Sequence, residues 1–199
     1  MRIYLTILIL VFSFQSISKA DDISEFTIEG ISIGDSILNH YSKEDINSAH
    51  SIILGKYKKL LLNKNLKQYE SLIIAYKENN KDYIIEGLTG NIIINSDISD
   101  CYQQMKIMDK QVSKLFENLT RKDWGILKLE NDYQTYNPIT YDFDNRDRIQ
   151  IACYDFRISK NEDNNDGDLL KLSMYKSDYR DATKIEAEKA STQDGSKWP

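Results

Sequence analysis

The chain has 199 residues, of which 26 are basic and 31 acidic, so its formal charge is −5; 41% of the residues are apolar and 29% are charged. This composition is typical of a folded, water-soluble protein and excludes a disordered or fibrous chain. An acidic protein also gains nothing from the phosphate electrostatics that drive non-specific nucleic-acid binding, so we expect no nucleic-acid partner.

The first twenty residues predict a secretory leader. They have a basic start at Arg2, an apolar core over residues 3–14, and Ser18 and Ala20 at a cleavage site. A membrane anchor is the alternative, but such a core covers only about 18 Å as a helix, less than the roughly 30 Å of a bilayer's hydrocarbon layer. We therefore expect a periplasmic or secreted protein with no membrane span after cleavage. Cleavage would leave 24 basic residues against 31 acidic ones, a charge of −7.

The next stretch, FTIEGISIGDSIL, contains a Gly-Asp-Ser triplet that makes Ser36 a candidate nucleophile. The GDSL-type lipases and esterases present their catalytic serine in this way, and their base comes from an Asp-x-x-His near the C-terminus. This chain has only His40 and His50, and Ile37 replaces the leucine that follows the serine in that family. The alternative is structural, with Asp35 capping a short helix that starts at Ser36. We predict the structural role, and no catalytic residue.

Two groups of elements follow, separated by a helix. Ser42 and Asp45 have the spacing of a capping box for a brief helix. Strand-like runs then occupy residues 56–62, 69–77 and 82–88, with ENNK as a hairpin turn and Gly87 and Gly90 as a bend before NIIIN. A second set of strands is predicted in ITYDFD, RIQIACYDFRI and LLKLSMY. Each set forms an antiparallel meander.

The helix between the meanders is predicted over residues 97–119. Its apolar residues recur at three-and-four spacing, which indicates a single buried stripe: Ile98, Cys101, Tyr102, Met105, Met108, Val112, Leu115, Phe116 and Leu119. The predicted fold class is therefore α+β, a single domain of residues 21–177 with two antiparallel β-meanders packed around one long amphipathic helix. Residues 178–199 are predicted as a marginal helix, over residues 178–190, and a flexible tail.

Cys101 and Cys153 are the two cysteines of the chain, and we predict that they form a disulfide. An even count in an exported protein favours a bridge, and Cys101 lies on the buried stripe of the helix while Cys153 alternates with apolar residues of a strand. Two buried free thiols are the alternative. Closing a loop of about fifty residues would stabilise the fold by roughly 4 kcal/mol.

The remaining candidate sites have structural alternatives that we prefer. Asp142, Asp144, Asp147 and Asp155 could provide a pair of catalytic carboxylates, but strand ends and turns are often rich in Asp. The loop at residues 161–168 resembles a calcium loop around Gly167, but lacks the bidentate glutamate that such a loop requires. The two histidines have no ligands at zinc spacing, so no metal and no cofactor is predicted.

Lysines and tyrosines give two weaker signals. Lysines at positions 56, 58, 59, 64 and 67 form a basic patch, which we interpret as protection of an edge strand, with contact to anionic envelope polymer or lipid headgroups as the alternative. Most tyrosines fall in predicted strands, where they favour core packing, and a sugar-stacking platform is a hypothesis only.

With FTIEGISIGDSIL, SDCYQQMK and CYDF, the chain resembles a group of uncharacterised, signal-bearing proteins of small-genome marine alphaproteobacteria. The resemblance implies an exported soluble protein with two cysteines at these places, and it implies no activity, substrate or cofactor. The sequence therefore predicts a non-catalytic exported protein that binds an envelope protein or a small ligand through a sheet face. The alternative is a hydrolase that uses Ser36 or the carboxylates from Asp142 to Asp155.

Overall fold

The computed structural model describes residues 21–128, 134–156 and 167–194, with residues 186–194 described by their backbone only. The predicted leader at residues 1–20 lies outside this part of the chain. The strands are β1 (His50–Leu54), β2 (Tyr57–Leu62), β3 (Ser71–Lys77), β4 (Ile85–Ile94), β5 (Thr120–Asp123), β6 (Leu127–Lys128), β7 (Gln134–Asp142), β8 (Arg148–Phe156) and β9 (Asp168–Tyr175). The α-helices are α1 (Lys43–Ser48), α2 (Ile98–Leu115) and α3 (Ser177–Asp194).

All nine strands belong to one antiparallel sheet in the order β1-β2-β3-β4-β9-β8-β7-β5, with β6 also on β7. The prediction of two meanders packed around one long helix is wrong, because β4 and β9 pair over eight residues and fuse the meanders into a single sheet. Without this pairing, each meander would end in a strand with unsatisfied backbone groups. Helices α2 and α3 lie on opposite faces of this sheet.

Helix α2 covers the face of the sheet that holds the main core, which we call the α2 face. Asp97 caps its start by accepting a hydrogen bond from the Ser99 amide at 2.8 Å. Cys101, Met105 and Val112 of its apolar stripe are buried against the strands. The helix ends at Leu115, earlier than predicted, because the Phe116 backbone leaves helical geometry and its ring packs between Phe26 and Phe143.

The disulfide predicted from the sequence is present between α2 and β8. Cys101 and Cys153 are both buried, and their Cα atoms lie 5.9 Å apart. Cys153 faces α2 because it follows Ile149 and Ile151 on the same side of β8, and all three are buried. The bond therefore joins the helix to an inner strand of the sheet.

The opposite face, which we call the α3 face, is partly covered by α3. Tyr179 packs against Tyr57 and Ala75 in a small second core, with its ring centroid 5.0 Å from that of Tyr57. The Asp147 carboxylate, buried in the β7–β8 turn, accepts a hydrogen bond from the Ser177 amide and so holds the start of the helix. The helix is longer than the residues 178–190 that its composition predicts, and residues 195–199 lie outside the described chain.

Several local predictions are confirmed and others need correction. The Ser42 and Asp45 capping box is present at the start of α1. The predicted bend at Gly87 and Gly90 is wrong, since both glycines lie inside the continuous strand β4. The sequence interpretation also missed β1, β5 and β6. Among the described helices, none is both long and apolar enough to cross a bilayer.

Candidate functional site

Ser36 has a structural role, because its hydroxyl group both donates and accepts a hydrogen bond with the backbone. The Oγ–H group donates to the Asp82 carbonyl at 2.6 Å, and Oγ accepts from the Leu38 amide at 3.3 Å. Ser36 is thus the cap of a short 3-10 helix, Ile37–Asn39. A nucleophilic serine would instead give its proton to a base such as histidine.

Asp35 does not cap that helix, so this part of the sequence interpretation is wrong. Its carboxylate accepts a hydrogen bond from the preceding Ser32 amide at 2.9 Å and lies 3.2 Å from Nε2 of His40. The segment is held in place by the start of β4, since Gly34 donates to the Ile85 carbonyl and Ile37 donates to the Tyr83 carbonyl. The Gly-Asp-Ser triplet is therefore a backbone connection to the sheet.

Of the four candidate carboxylates, Asp142 and Asp155 do not form a catalytic pair. Asp142 and Arg148 are directly opposite in the β7–β8 register and form two hydrogen bonds, at 2.6 and 3.1 Å. Asp155 lies seven residues beyond Arg148 on β8, about 23 Å away at the rise of an extended strand. It also points to the α2 face, whereas Asp142 points to the α3 face. No single substrate bond could lie between them.

Metal binding finds no support in the described residues, where no three His, Cys, Asp or Glu side chains form a metal-ligating cluster. The candidate calcium loop lies outside the described chain except for Gly167 and Asp168. Asp168 opens β9, and its carboxylate accepts the Phe156 amide at 3.2 Å.

The lysines of the basic patch predicted from the sequence do not share one surface. Lys64 pairs with Asp45 at 2.7 Å, while Lys58 and Lys59 project from opposite faces of β2. Strand β2 is an inner strand, since β1 covers its outer edge, so protection of an edge does not explain these lysines.

One group of stacked aromatic rings lies on the α3 face near the end of β8. Tyr154 stacks with Tyr136 and with Phe156 at centroid distances of 5.6 and 5.9 Å, and the Lys171 ammonium lies 4.3 Å from its ring centre. Burial raises the pKa of the Tyr154 hydroxyl. The faces of its ring are used for internal contacts, which weakens the hypothesis of a sugar-stacking platform.

A surface cleft lies on the α2 face of the sheet, between α2 and the N-terminal segment around residues 26–29. We call it the α2 cleft; its volume is about 540 Å³, within the usual range for small-molecule sites. Its apolar lining consists of Phe26, Ile28, Met108, Val112, Leu115 and Leu172, and its polar lining of Thr27, Glu29, Gln68, Tyr69, Gln111 and Lys114. A ligand here would meet an apolar floor and a polar rim.

Glu29 builds one wall of the cleft. It lies with Gly30 in a two-residue turn between Ile28 and Ile31, and both turn residues have positive φ, at 56° and 78°. This turn directs the Glu29 carboxylate to the loop before β3, where Oε1 accepts the amides of residues 67–69 at 2.5 to 3.2 Å. Burial would raise the pKa of Glu29, but these amide hydrogen bonds outweigh it and lower the pKa.

Tyr69 also lines the cleft, and Gly90 leaves room for its ring. A Cβ atom at position 90 would lie 2.4 Å from the Tyr69 ring, so no larger residue fits there without displacement. Burial raises the pKa of the Tyr69 hydroxyl to about 12, with a further contribution from repulsion by Glu29. The hydroxyl is therefore neutral at physiological pH and can donate a hydrogen bond.

The sequence did not predict that the residues of the α2 cleft form a site. The signal available was Gly30, which leaves two residues between Ile28 and Ile31 and can take the positive φ that a tight hairpin requires. Comparison with protein families, with curated proteins and with solved structures finds no match to this chain. The resemblance to a marine alphaproteobacterial group therefore stays a prediction, and the function has to be inferred from the geometry.

Proposed function

We propose that this protein is an exported, non-catalytic binding protein whose α2 cleft takes a small, largely apolar ligand. The observation that carries the proposal is the cleft itself, about 540 Å³ in volume and lined by six apolar side chains. Six polar residues complete the lining, and such a mixture suits a ligand with a hydrophobic body and one polar end. The sequence predicts a ligand on a sheet face; in the structure the corresponding space lies between the sheet and α2.

The polar end of the ligand would lie at the exposed rim of the cleft. Gln68 and Gln111 are exposed there, and their amides can each donate and accept hydrogen bonds. Glu29 and Lys114 have opposite charges, so the rim does not select strongly for a charged ligand. We therefore propose a ligand with an uncharged polar end, such as a hydroxyl, ester or amide.

A non-catalytic role is supported by the engagement of the candidate reactive groups. The Ser36 proton is donated to a backbone carbonyl, and Asp142 is paired with Arg148. The hydrolase alternative has no observation in its favour. Export is supported by the disulfide, since such bonds persist in oxidising compartments, together with the leader predicted at residues 1–20.

The proposal can be tested by filling the cleft. Met108 lines it and Ile107, the next residue of α2, is 60% exposed on the outer side of the helix. We expect Met108→Trp to weaken binding of the neutral probe N-phenyl-1-naphthylamine about tenfold or more, a loss of at least about 1.4 kcal/mol. Ile107→Trp adds the same ring on the other side and should leave binding unchanged.

Binding would be measured by fluorescence titration of the purified protein, with a melting curve for each variant. Mass spectrometry of small molecules that copurify from envelope extract would identify the natural ligand. Equal binding by wild type and Met108→Trp, with both proteins folded, would show that the cleft is not the site.

A further inference from the structure

Strand β1 is an open edge of the sheet. It pairs with β2 on one side, and within the described part of the chain no backbone group bonds to its other side. Ile52 and Ile53 of this strand are 49% and 61% exposed and project from opposite faces. An uncovered apolar edge is a template for pairing with another strand, and folded proteins normally protect such an edge with charge or proline.

The opposite edge of the sheet has this protection. Strand β5 lies there, all four of its residues are exposed, and three of them are charged: Arg121, Lys122 and Asp123. Strand β1 has the sequence HSIIL, with no acidic residue, lysine, arginine or proline. One edge of the sheet is therefore protected from pairing, and the other is not.

The register shows which backbone groups are free at the β1 edge. The Lys56 carbonyl accepts a hydrogen bond from the Glu78 amide at 3.0 Å, so the even-numbered residues of β2 direct their backbone groups to β3. The odd-numbered residues of β2 therefore bond to the even-numbered residues of β1, because backbone groups alternate between the two neighbouring strands. The N–H and C=O groups of Ser51 and Ile53 consequently point to the free edge.

A single antiparallel register between two copies of the chain satisfies all of these groups. When Ile52 of one copy lies opposite Ile52 of the other, each Ser51 lies opposite an Ile53 and exchanges two hydrogen bonds with it. The arrangement has two-fold symmetry, so both copies use the same surface. The two Ile52 side chains then become neighbours on the α3 face, with their Cα atoms about 4.5 Å apart.

The surroundings of β1 also suit a second copy. On the α3 face, Ile52 and Leu61 line an apolar depression of about 170 Å³, which the second Ile52 would partly cover. The same register brings Lys56 of one copy beside α1 of the other, whose first turn carries Glu44 and Asp45. Since β1 itself has no charge, no like charges would face each other along the paired strands.

We propose that two copies of this protein form a dimer by pairing their β1 strands around Ile52 into one continuous sheet. The dimer is closed, because charged β5 edges lie at both of its ends. A strand pair of this length buries less surface than the roughly 1,000 Å² of a stable interface, so we expect a weak dimer with a Kd between about 1 μM and 1 mM. The α2 cleft takes no part in this contact, so the dimer goes beyond the binding function and either proposal can fail alone.

Sedimentation velocity of the purified protein over a range of concentrations tests the dimer. We expect the mass to double at high concentration. Ile52→Lys would place two ammonium groups opposite each other and should weaken association about tenfold or more. Ile126→Lys makes the same change at an isoleucine outside β1 that is 62% exposed, and it should have no effect.

Two results of this measurement would overturn the proposal. A monomer at every concentration up to about 1 mM would leave the edge to an extended segment of another protein. A dimer that Ile52→Lys leaves intact, or oligomers that grow beyond two copies, would place the contact elsewhere. Melting curves of the variants establish that each is folded.

Cross-linking tests the register. The two Ile52 Cα atoms would lie within the range that a disulfide spans, so Ile52→Cys should form a covalent dimer under mild oxidation. The two native cysteines are bonded to each other and do not compete. Ile126→Cys is the matched control and should remain uncross-linked. A protein that sediments as a dimer while Ile52→Cys fails to cross-link would contradict the register centred on Ile52.

Discussion

The ring of Tyr179 occupies the space that a side chain at Gly87 would need. A Cβ atom at position 87 would lie 2.4 Å from Cε1 of Tyr179 and 3.2 Å from the Ala75 methyl group. Ala75 and Gly87 lie opposite each other in the β3–β4 register. These two small residues on adjacent strands therefore leave the space in which Tyr179 of α3 packs. Gly87, which the sequence suggests as a bend, therefore lies inside a strand and makes room for a side chain of α3.

Gly87→Ala should displace Tyr179 and loosen α3. Overpacking of this kind costs about 1–3 kcal/mol of unfolding free energy, which urea denaturation measures directly. In a Tyr179→Ala background the space beside Gly87 is empty, so Gly87→Ala should reduce the free energy of unfolding much less. Equal costs in the two backgrounds would mean that the ring does not occupy this space in solution.

Removal of the disulfide should lower the melting temperature substantially. Cys101 and Cys153 are 52 residues apart in sequence, and closing a loop of that length stabilises the fold by about 4 kcal/mol. For a protein of this size we expect a drop of about 10 °C in the presence of a reductant. The variant Cys101→Ala/Cys153→Ala should show a similar drop and no further response to the reductant. A wild-type melting curve that reductant leaves unchanged would contradict the expected stabilisation.

The sequence predicts those features that depend on near neighbours. Capping by Ser42, the buried stripe of α2 and the alternation around Cys153 are local patterns, and each is present in the structure. Local patterns also place β8 and β9 correctly, because turn residues flank each apolar run, but they place only the second half of β7, which begins five residues before the predicted run.

Contacts between distant segments could not be predicted in this way. The pairing of β4 with β9 joins residues on either side of α2, and nothing in Ile85–Ile94 specifies which strand lies beside it. The α2 cleft has the same origin, since the Glu29 turn is local but the amides it binds are at residues 67–69.

Ser36→Ala should reduce stability without changing any activity. The substitution removes the helix cap and the hydrogen bond to the Asp82 carbonyl, which together cost about 1 kcal/mol or more. Ser36→Thr keeps the hydroxyl and serves as the control. Urea denaturation gives the stability, and a screen with p-nitrophenyl esters gives the activity. Ester hydrolysis by wild type that disappears in Ser36→Ala would establish the hydrolase alternative and refute the proposed binding function.

Asp109 gives the protein a pH-dependent contribution to stability. Its carboxylate accepts two hydrogen bonds from Arg121, at 2.8 and 3.0 Å, and a further one from the Tyr141 hydroxyl. Burial would raise the pKa of Asp109, but these hydrogen bonds outweigh it and lower the pKa. A carboxylate with a lowered pKa stabilises the fold above the pKa of the unfolded chain, about 3.9, and this contribution is lost as the pH falls through the folded-state value.

Asp109→Asn should therefore reduce the free energy of unfolding more at neutral pH than at acid pH. We expect a loss of about 1–2 kcal/mol at pH 7, after allowance for screening by solvent, and a clearly smaller loss near pH 3. Asp144→Asn is the matched control, since Asp144 is exposed in the β7–β8 turn and its replacement should have little effect at either pH. Urea denaturation of the three proteins at both pH values measures these differences. If the gap between wild type and Asp109→Asn stayed constant down to pH 3, the charge on Asp109 would not be the source of its stabilisation.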